Sequence, residues 1–374
     1  MEVITYEKQE IVEDRKISES DYMSFVDWID RGEATTKAYL TNLRQWAAWC
    51  AYKRIERPTT QDVRDFRDWL SSPHEAIQYD PAAGWSYRTD KAGRTLTVEC
   101  KPSTVRLYVR TVKQFFAWTA AQGIYPDIAQ TVRIPKTDRS NKKDALTLEQ
   151  IREVETAIEE AGADKVASAS SASKDAAGRT QRAKEQEARE RAMYLLMVTA
   201  GLRDVEIHRA DVKDFARDGK AGAWLYVWGK GHAEADQRKA IAPCAADAVT
   251  DYLMARSDGA PKDSPLFVST GNRSGGSRIA TTTISKMMKR SMQRAGIDDP
   301  RKTAHSLRHT AAAMMMDATG DNIYMVRDYM RHSNTSTTEI YLDRADGKRD
   351  QEMARMYDAM IRKEETLSKS INIQ

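Results

Sequence analysis

The chain has 374 residues, of which 41% are hydrophobic and 30% charged, enough apolar material for two or three ordinary globular cores under a well-charged surface. No apolar run approaches the roughly 20 residues of a membrane span, and the acidic opening MEVITYEKQEIVEDRK has no apolar signal core, so the expectation is a cytoplasmic, nucleoid-associated protein with no membrane partner. The three cysteines, Cys50, Cys100 and Cys244, have neither disulfide nor metal-ligand spacing, and the net charge of +4 is too small by itself to establish nucleic-acid binding.

The distribution of charge says more than its sum. Residues 1–19 form an acidic tail. From Thr35 or Thr36 a helix is expected, with Leu40, Leu43, Ala47 and Cys50 on one face. Pro58-Thr59-Thr60 opens another, with Val63, Phe66 and Leu70 inward. Residues 73–101 carry turn residues and scattered aromatics and read as a long loop or small hairpin, with a strand possible near Thr95–Val98. Pro102-Ser103 then starts a helix whose buried stripe is Val105, Tyr108, Val109, Val112, Phe115, Phe116 and Thr119. Arg106, Arg110 and Lys113 recur on another face of it at helical spacing. That stripe either tracks phosphates or is a solvated basic face. Between residues 101 and 143 there are nine Lys/Arg and two acids.

The polar, basic run RIPKTDRSNKKD (133–144) has linker composition and places a linker at 135–146, so a helical domain at 20–134 and a second domain at 147–374 are expected. Thr147 and Gln150 make a capping-box pattern. Residues 162–190 are low in complexity and then charged and helix-prone (RTQRAKEQEARERA), which suggests a mobile insertion leading into a helix and joining an apolar helix at Met193–Thr199. Strands are expected at Trp224–Trp228 and near Lys239–Ala242, flanking a Gly-Lys-Gly turn. The remainder is helical, and the methionines at 314–316, 325, 330, 353, 356 and 360 read as core filling.

Five short stretches share a chemical theme: AGLRDVEI at 200–207, WGKGH at 228–232, HSLRH at 305–309, RHS at 331–333 and TTEIYL at 337–342. A tyrosine hydroxyl can hold a phosphoryl group covalently, although a pKa of about 10 leaves it weak at neutral pH. Two arginines suit the charge that develops on non-bridging phosphate oxygens, because guanidiniums bind them bidentately and stay charged. A lysine beside phosphate can protonate a leaving 5′ oxygen, and histidines can donate hydrogen bonds or move the tyrosine proton. The set holds no carboxylate cluster of the kind that binds Mg²⁺, so cleavage without metal, cofactor or ATP is expected.

Taken in this order and spacing, the stretches resemble the tyrosine recombinases, or phage-integrase family, with its Xer-like and Cre-like enzymes. The resemblance covers 147–345 at motif level and the preceding helical region more loosely. It implies a mainly α protein: a helical SAM-like core-binding domain, then a mixed, mostly helical catalytic domain with a small antiparallel sheet. By the same resemblance Tyr341 is the nucleophile, Arg203 and Arg308 the arginines, Lys230 the hairpin lysine, and His305 and His332 the two histidines, with Glu206 and His309 in support. The interval from His332 to Tyr341 is the family's usual one. Implied too are a 3′-phosphotyrosine intermediate, a Holliday junction, a homotetramer on double-stranded DNA that is a monomer or weak oligomer when free, and a C-terminal helix or tail at 346–374 that either packs on its own domain or docks on a neighbour. Arg106, Arg110 and Lys113 would hold DNA phosphates.

Three departures stand out. Arg331 replaces the glycine that the family usually has before the second histidine, and it either contacts DNA or forms a local salt bridge. The hairpin after Lys230 is longer and more acidic (HAEADQR), and the 162–190 insertion is unusual. A type IB-like topoisomerase or hairpin-telomere resolvase would share this chemistry, and a non-enzymatic DNA-binding regulator could share the fold; reaction products separate them.

Overall fold

The computed structural model describes residues 15–136, 145–171, 175–218, 222–228, 235–271 and 275–331, together with Thr338. Contacts divide the chain into two compact units, Met1–Arg139 and Ser140–Gln374, both mostly helical with small antiparallel sheets. No helix among the described residues is long and apolar enough to cross a membrane.

The first unit packs α1 (Glu19–Trp28), α2 (Glu33–Tyr52), α3 (Thr60–Leu70) and α4 (Pro102–Ala121) around an aromatic core. Phe25, Trp46, Trp49, Phe66, Phe115 and Phe116 are fully buried there. Trp46 meets Phe66 and Phe116 edge-on, at centroid distances of 5.2 and 6.0 Å, an arrangement that aligns ring edges with ring faces. The apolar stripes of α3 and α4 point inward as their spacing predicts. The start of α2 differs: its N-cap is Gly32, and Thr36 instead hydrogen-bonds the Arg31 carbonyl. Between α3 and α4 the chain forms two ladders, β1 (His74–Glu75) with β4 (Thr97–Val98) and β2 (Ile77–Gln78) with β3 (Ser86–Tyr87). Strands of two residues give almost no period-2 signal, which is why only the region of β4 is visible in the sequence.

The second unit is built on α6 (Ala176–Ala200), whose segment Met193–Val198 is buried on every side. It is flanked by α5 (Leu148–Ser170) and α8 (Pro243–Ala255), with α9 (Thr281–Arg294) and α10 (Ala304–Ala318) completing the layer. The Thr147–Gln150 capping box opens α5 with reciprocal bonds of 3.2 Å. The expected mobile insertion at 162–190 is a correction: α5 runs on through Ser170 and α6 begins at Ala176, so most of its described residues extend these two helices. Ala, Glu, Lys and Arg are strong helix formers, which the charged half of the stretch showed and the low-complexity half hid. The two helices also pack closely. A β-carbon at Gly162 would lie 2.2 Å from Glu187 Cγ, and Arg191 bridges to Glu155 at 2.9 Å.

A three-stranded antiparallel sheet follows the short α7 (Asp204–Arg209): β5 (Phe215–Asp218), β6 (Gly222–Val227) and β7 (Gln237–Ile241). Leu225 pairs with Phe215 on one side and Lys239 on the other, and its neighbours Val227 and Ile241 face the core. Beyond α10, α11 (Ile323–Met330) closes a small cluster of Ala311, Ala312, Met316, Val326 and Met330. The methionine expectation needs a second correction. Met316 and Met330 are buried, but Met314 and Met325 are exposed, because each falls on the outer face of a helix with only one side covered. Met353, Met356 and Met360, and the whole 346–374 segment, lie outside the described residues.

Candidate active site

Gly201 ends α6 in the left-handed conformation (φ +64°) and turns the chain into the Leu202-Arg203 loop. Glycine is needed there twice over. It accepts that φ, and a β-carbon would come within 2.8 Å of the Met330 sulfur at the end of α11. The loop delivers Arg203 as the N-cap of α7, where Glu206 holds it by two bonds: Oε2 accepts from the Arg203 backbone N–H at 2.8 Å and Oε1 from its guanidinium at 2.7 Å. Glu206 is 5% exposed. Burial pushes its carboxyl up, but Arg331, the Arg203 backbone N–H and the guanidiniums of Arg203 and Arg308 outweigh that and hold it below the usual carboxylate range.

Arg308 arrives from α10, buried, and donates to the carbonyls of Gly201 and Met330. One side chain thus ties together two helix ends, and brings together residues 107 positions apart in sequence. The bonds also satisfy C-terminal carbonyls that a helix cannot pair internally. His305 is exposed one turn before Arg308, and its ring meets His309 edge-on at 4.7 Å. Arg203, Glu206, Arg308, His305 and His309 therefore stand where α6, α7 and α10 converge. Lys230, His332 and Tyr341 lie outside the described residues.

Two further residues belong to this neighbourhood. Lys239, on β7, is buried; its Nζ donates to the Tyr329 carbonyl and sits 3.0 Å from the centroid of that tyrosine's ring. Burial first, then Arg331 and Arg308, lower its pKa to about 6, against the smaller opposing pull of Glu206. Sequence reading placed Lys239 only at a strand, since a lone lysine on a β-strand looks like a solvated one. Arg331 is the local salt bridge among its two sequence readings: its Nη2 stands 2.8 Å from Glu206 Oε1.

Beside His305, a cleft of about 420 Å³ is lined by Asp204, Ser285, Lys286, Lys289 and Arg290. Lys289 is engaged with the Asp299 carbonyl, whereas Lys286 and Arg290 are exposed on α9. The sequence carried this signal in SKMMKR, where 286, 289 and 290 share a face opposite the buried Ile284, Met288 and Met292. In the first unit, Arg106 and Arg110 are exposed on α4. Lys113 has another role: its ammonium donates to the Ala129, Gln130 and Val132 carbonyls at 2.7, 2.7 and 2.9 Å, using all three of its protons. Among the described residues no group of His, Cys, Asp and Glu is arranged to hold a metal ion.

Residues 172–348 match the model of the phage integrase family. Tyrosine recombinase XerC of Actinobacillus succinogenes is 35% identical over 153 residues, 41% of this chain and 48% of the relative, so the chain spans about half the length of the first curated relatives it matches. Tyrosine recombinase XerD of Caulobacter vibrioides is 27% identical over a longer alignment, 84% of this chain and 92% of that protein. Among solved structures, XerH site-specific recombinase, in a post-cleavage complex with its palindromic difH substrate, superposes with a TM-score of 0.59 at 17% identity, covering 91% of this chain and 85% of that one. At that identity the likeness is one of fold.

Proposed function

We propose that the chain is a member of the phage integrase family of tyrosine recombinases, a site-specific DNA recombinase that cuts and rejoins strands through Tyr341. The Tyr341 oxygen attacks the scissile phosphorus, forms a 3′-phosphotyrosine and releases a 5′-hydroxyl. Attack by a partner strand's 5′-hydroxyl reverses the step, so the energy of the broken bond is kept and no ATP is consumed. Lys230 gives the leaving 5′ oxygen its proton, while His305 and His332 bind the phosphate or carry the tyrosine proton. Stabilisation comes from cations, Arg203 and Arg308, and this donor set calls for no bound metal.

The observation that carries this reading is the pairing of two arginines from distant parts of the chain around one loop. Arg308 is fixed on the Gly201 carbonyl and Arg203 is fixed by Glu206. Such preorganised guanidiniums stabilise a transferring phosphoryl group without reorganising during reaction. Arg106 and Arg110, with Lys286 and Arg290 beside His305, supply phosphate contacts that position the duplex. The domains that perform these tasks are the helical DNA-binding region at 20–134, the linker at 135–146 and the catalytic region at 147–374. Exchange between two duplexes breaks four strands, which calls for four tyrosines and hence a tetramer acting through a Holliday junction.

A nicked suicide substrate, from which the 5′ end diffuses away after cleavage, tests the assignment. The wild-type chain is expected to accumulate a covalent protein–DNA adduct. Tyr341→Phe is expected to bind DNA as well and form none. An adduct from the phenylalanine variant sinks the assignment of Tyr341.

A further inference from the structure

Arg331 occupies a place that its backbone does not favour. It caps α11 at φ 53°, ψ 49°, a left-handed conformation that glycine adopts freely and a β-carbon resists. Its side chain nevertheless turns inward and is only 16% exposed. Nη2 ion-pairs with Glu206 Oε1 at 2.8 Å, the same oxygen that holds Arg203 at 2.7 Å, and Nη1 reaches Gln237 Oε1 at 3.4 Å. Among the described residues neither its Nε nor its Nη2 has a hydrogen-bond partner, so Nη2 meets Glu206 as an ion pair, through charge and proximity. A large, charged, strained residue that spends its guanidinium on one buried carboxylate is there for that carboxylate.

We propose that Arg331 is a positioning residue of the strand-transfer site: it compensates the charge of Glu206, so that the guanidinium of Arg203 remains available to the scissile phosphate. Without Arg331, the buried Glu206 has Arg203 as its ion-pair partner, and attraction between unit charges at such distances is strong away from bulk water. A phosphate must then compete with that pair. With Arg331 on the same oxygen, the carboxylate is already matched. Arg203, Arg308 and Arg331 against Glu206 leave a net charge of +2, where +1 would otherwise stand. Glu206 keeps its geometric hold on the Arg203 backbone N–H through its other oxygen. Lys239 reads the same field, since Arg331 is the foremost charge depressing its pKa.

This inference rests on the recombinase reading, and two measurements separate the fate of each. In single-turnover cleavage of the suicide substrate, Arg331→Ala is expected to cut about tenfold to a hundredfold more slowly, the range for loss of one preorganised electrostatic group, with DNA affinity changed less than about twofold. Arg331→Lys is expected to restore part of the rate. A methylphosphonate at the scissile position removes one non-bridging negative charge, and there the penalty of Arg331→Ala is expected to shrink to about threefold or less. A wild-type cleavage rate in Arg331→Ala, or equal penalties on both substrates, overturns the proposal. The second measurement needs no cleavage: inorganic phosphate is expected to raise the melting temperature of the wild-type chain more than that of Arg331→Ala. Equal shifts overturn the proposal even if the wild type forms no adduct, a result that would instead refute the recombinase reading. Arg331→Gly, which suits the left-handed cap, serves both arms should the alanine variant unfold.

Discussion

Lys239 places an amine beside Arg308 and Arg331, and its proton affinity records the cost. An unfolded chain protonates such an amine below pH 10.5, whereas the fold lowers that value to about 6. Between those limits the unfolded state holds more protons, so this residue makes stability rise with pH; the contribution is lost as pH falls from 10.5 through 6. Lys239→Met keeps the length of the side chain and removes the titration. Its denaturation midpoint is expected to change less than that of the wild type between about pH 6.5 and about pH 9, and parallel slopes for the two proteins would refute the shift. Gly201 makes a different demand, combining a positive φ with contact to Met330. Gly201→Ala is expected to cost about 1–3 kcal/mol in chemical denaturation, from backbone strain and steric overlap together. Adding Met330→Ala is expected to recover only the overlap, leaving the strain of the left-handed turn, and full recovery would show that φ is tolerated.

On the scale of elements, α4 joins an aromatic core face to a basic outer face, and its three cations are placed differently. Arg106 and Arg110 are exposed, while Lys113 staples the Ala129–Val132 backbone to the helix. Arg106→Glu with Arg110→Glu is expected to weaken DNA binding and flatten its dependence on salt, because fewer counterions are released. Lys113→Met is expected to lower the melting temperature and leave the salt slope nearly unchanged. The reverse pattern in titrations at several salt concentrations would return Lys113 to the phosphate-binding set. This division also marks what the sequence could show. The stripes of α3 and α4 and the Thr147 cap were legible, because amphipathic spacing and cap chemistry are local. The cluster of Arg203, Glu206, Arg308 and His305 was legible through its motifs. The partners of Lys113, Lys239 and Arg331 were not, because each depends on a chain segment brought near only by tertiary packing. The extension of α5 through Ser170 was missed for the opposite reason: its serine- and alanine-rich run looked unstructured, although the charged run that follows it was legible as helix-prone.

For the whole molecule, strand exchange sets a stoichiometry that a simple nicking and closing enzyme does not share. Each protomer carries one Tyr341, two duplexes present four strands, and the proposed reaction consumes one tyrosine per strand. Closed symmetric assemblies of four equivalent subunits are a common solution to such a count. Because the Tyr341→Phe variant is expected to keep its DNA contacts and its partner surfaces, it enters mixed assemblies in proportion to its concentration. An equal mixture with the wild type is then expected to form about half the covalent adduct on single suicide substrates, yet only roughly one sixteenth of the fully exchanged product on paired sites, the chance that all four places hold an intact tyrosine. Holliday junctions need only two active places, so they are expected to accumulate relative to finished product in that mixture. Gel analysis of adduct, junction and product from one reaction reads all three. If product falls only to about half, in step with the adduct, protomers act independently. The tetramer would then give way to a strand-passage or relaxation activity built on the same tyrosine chemistry.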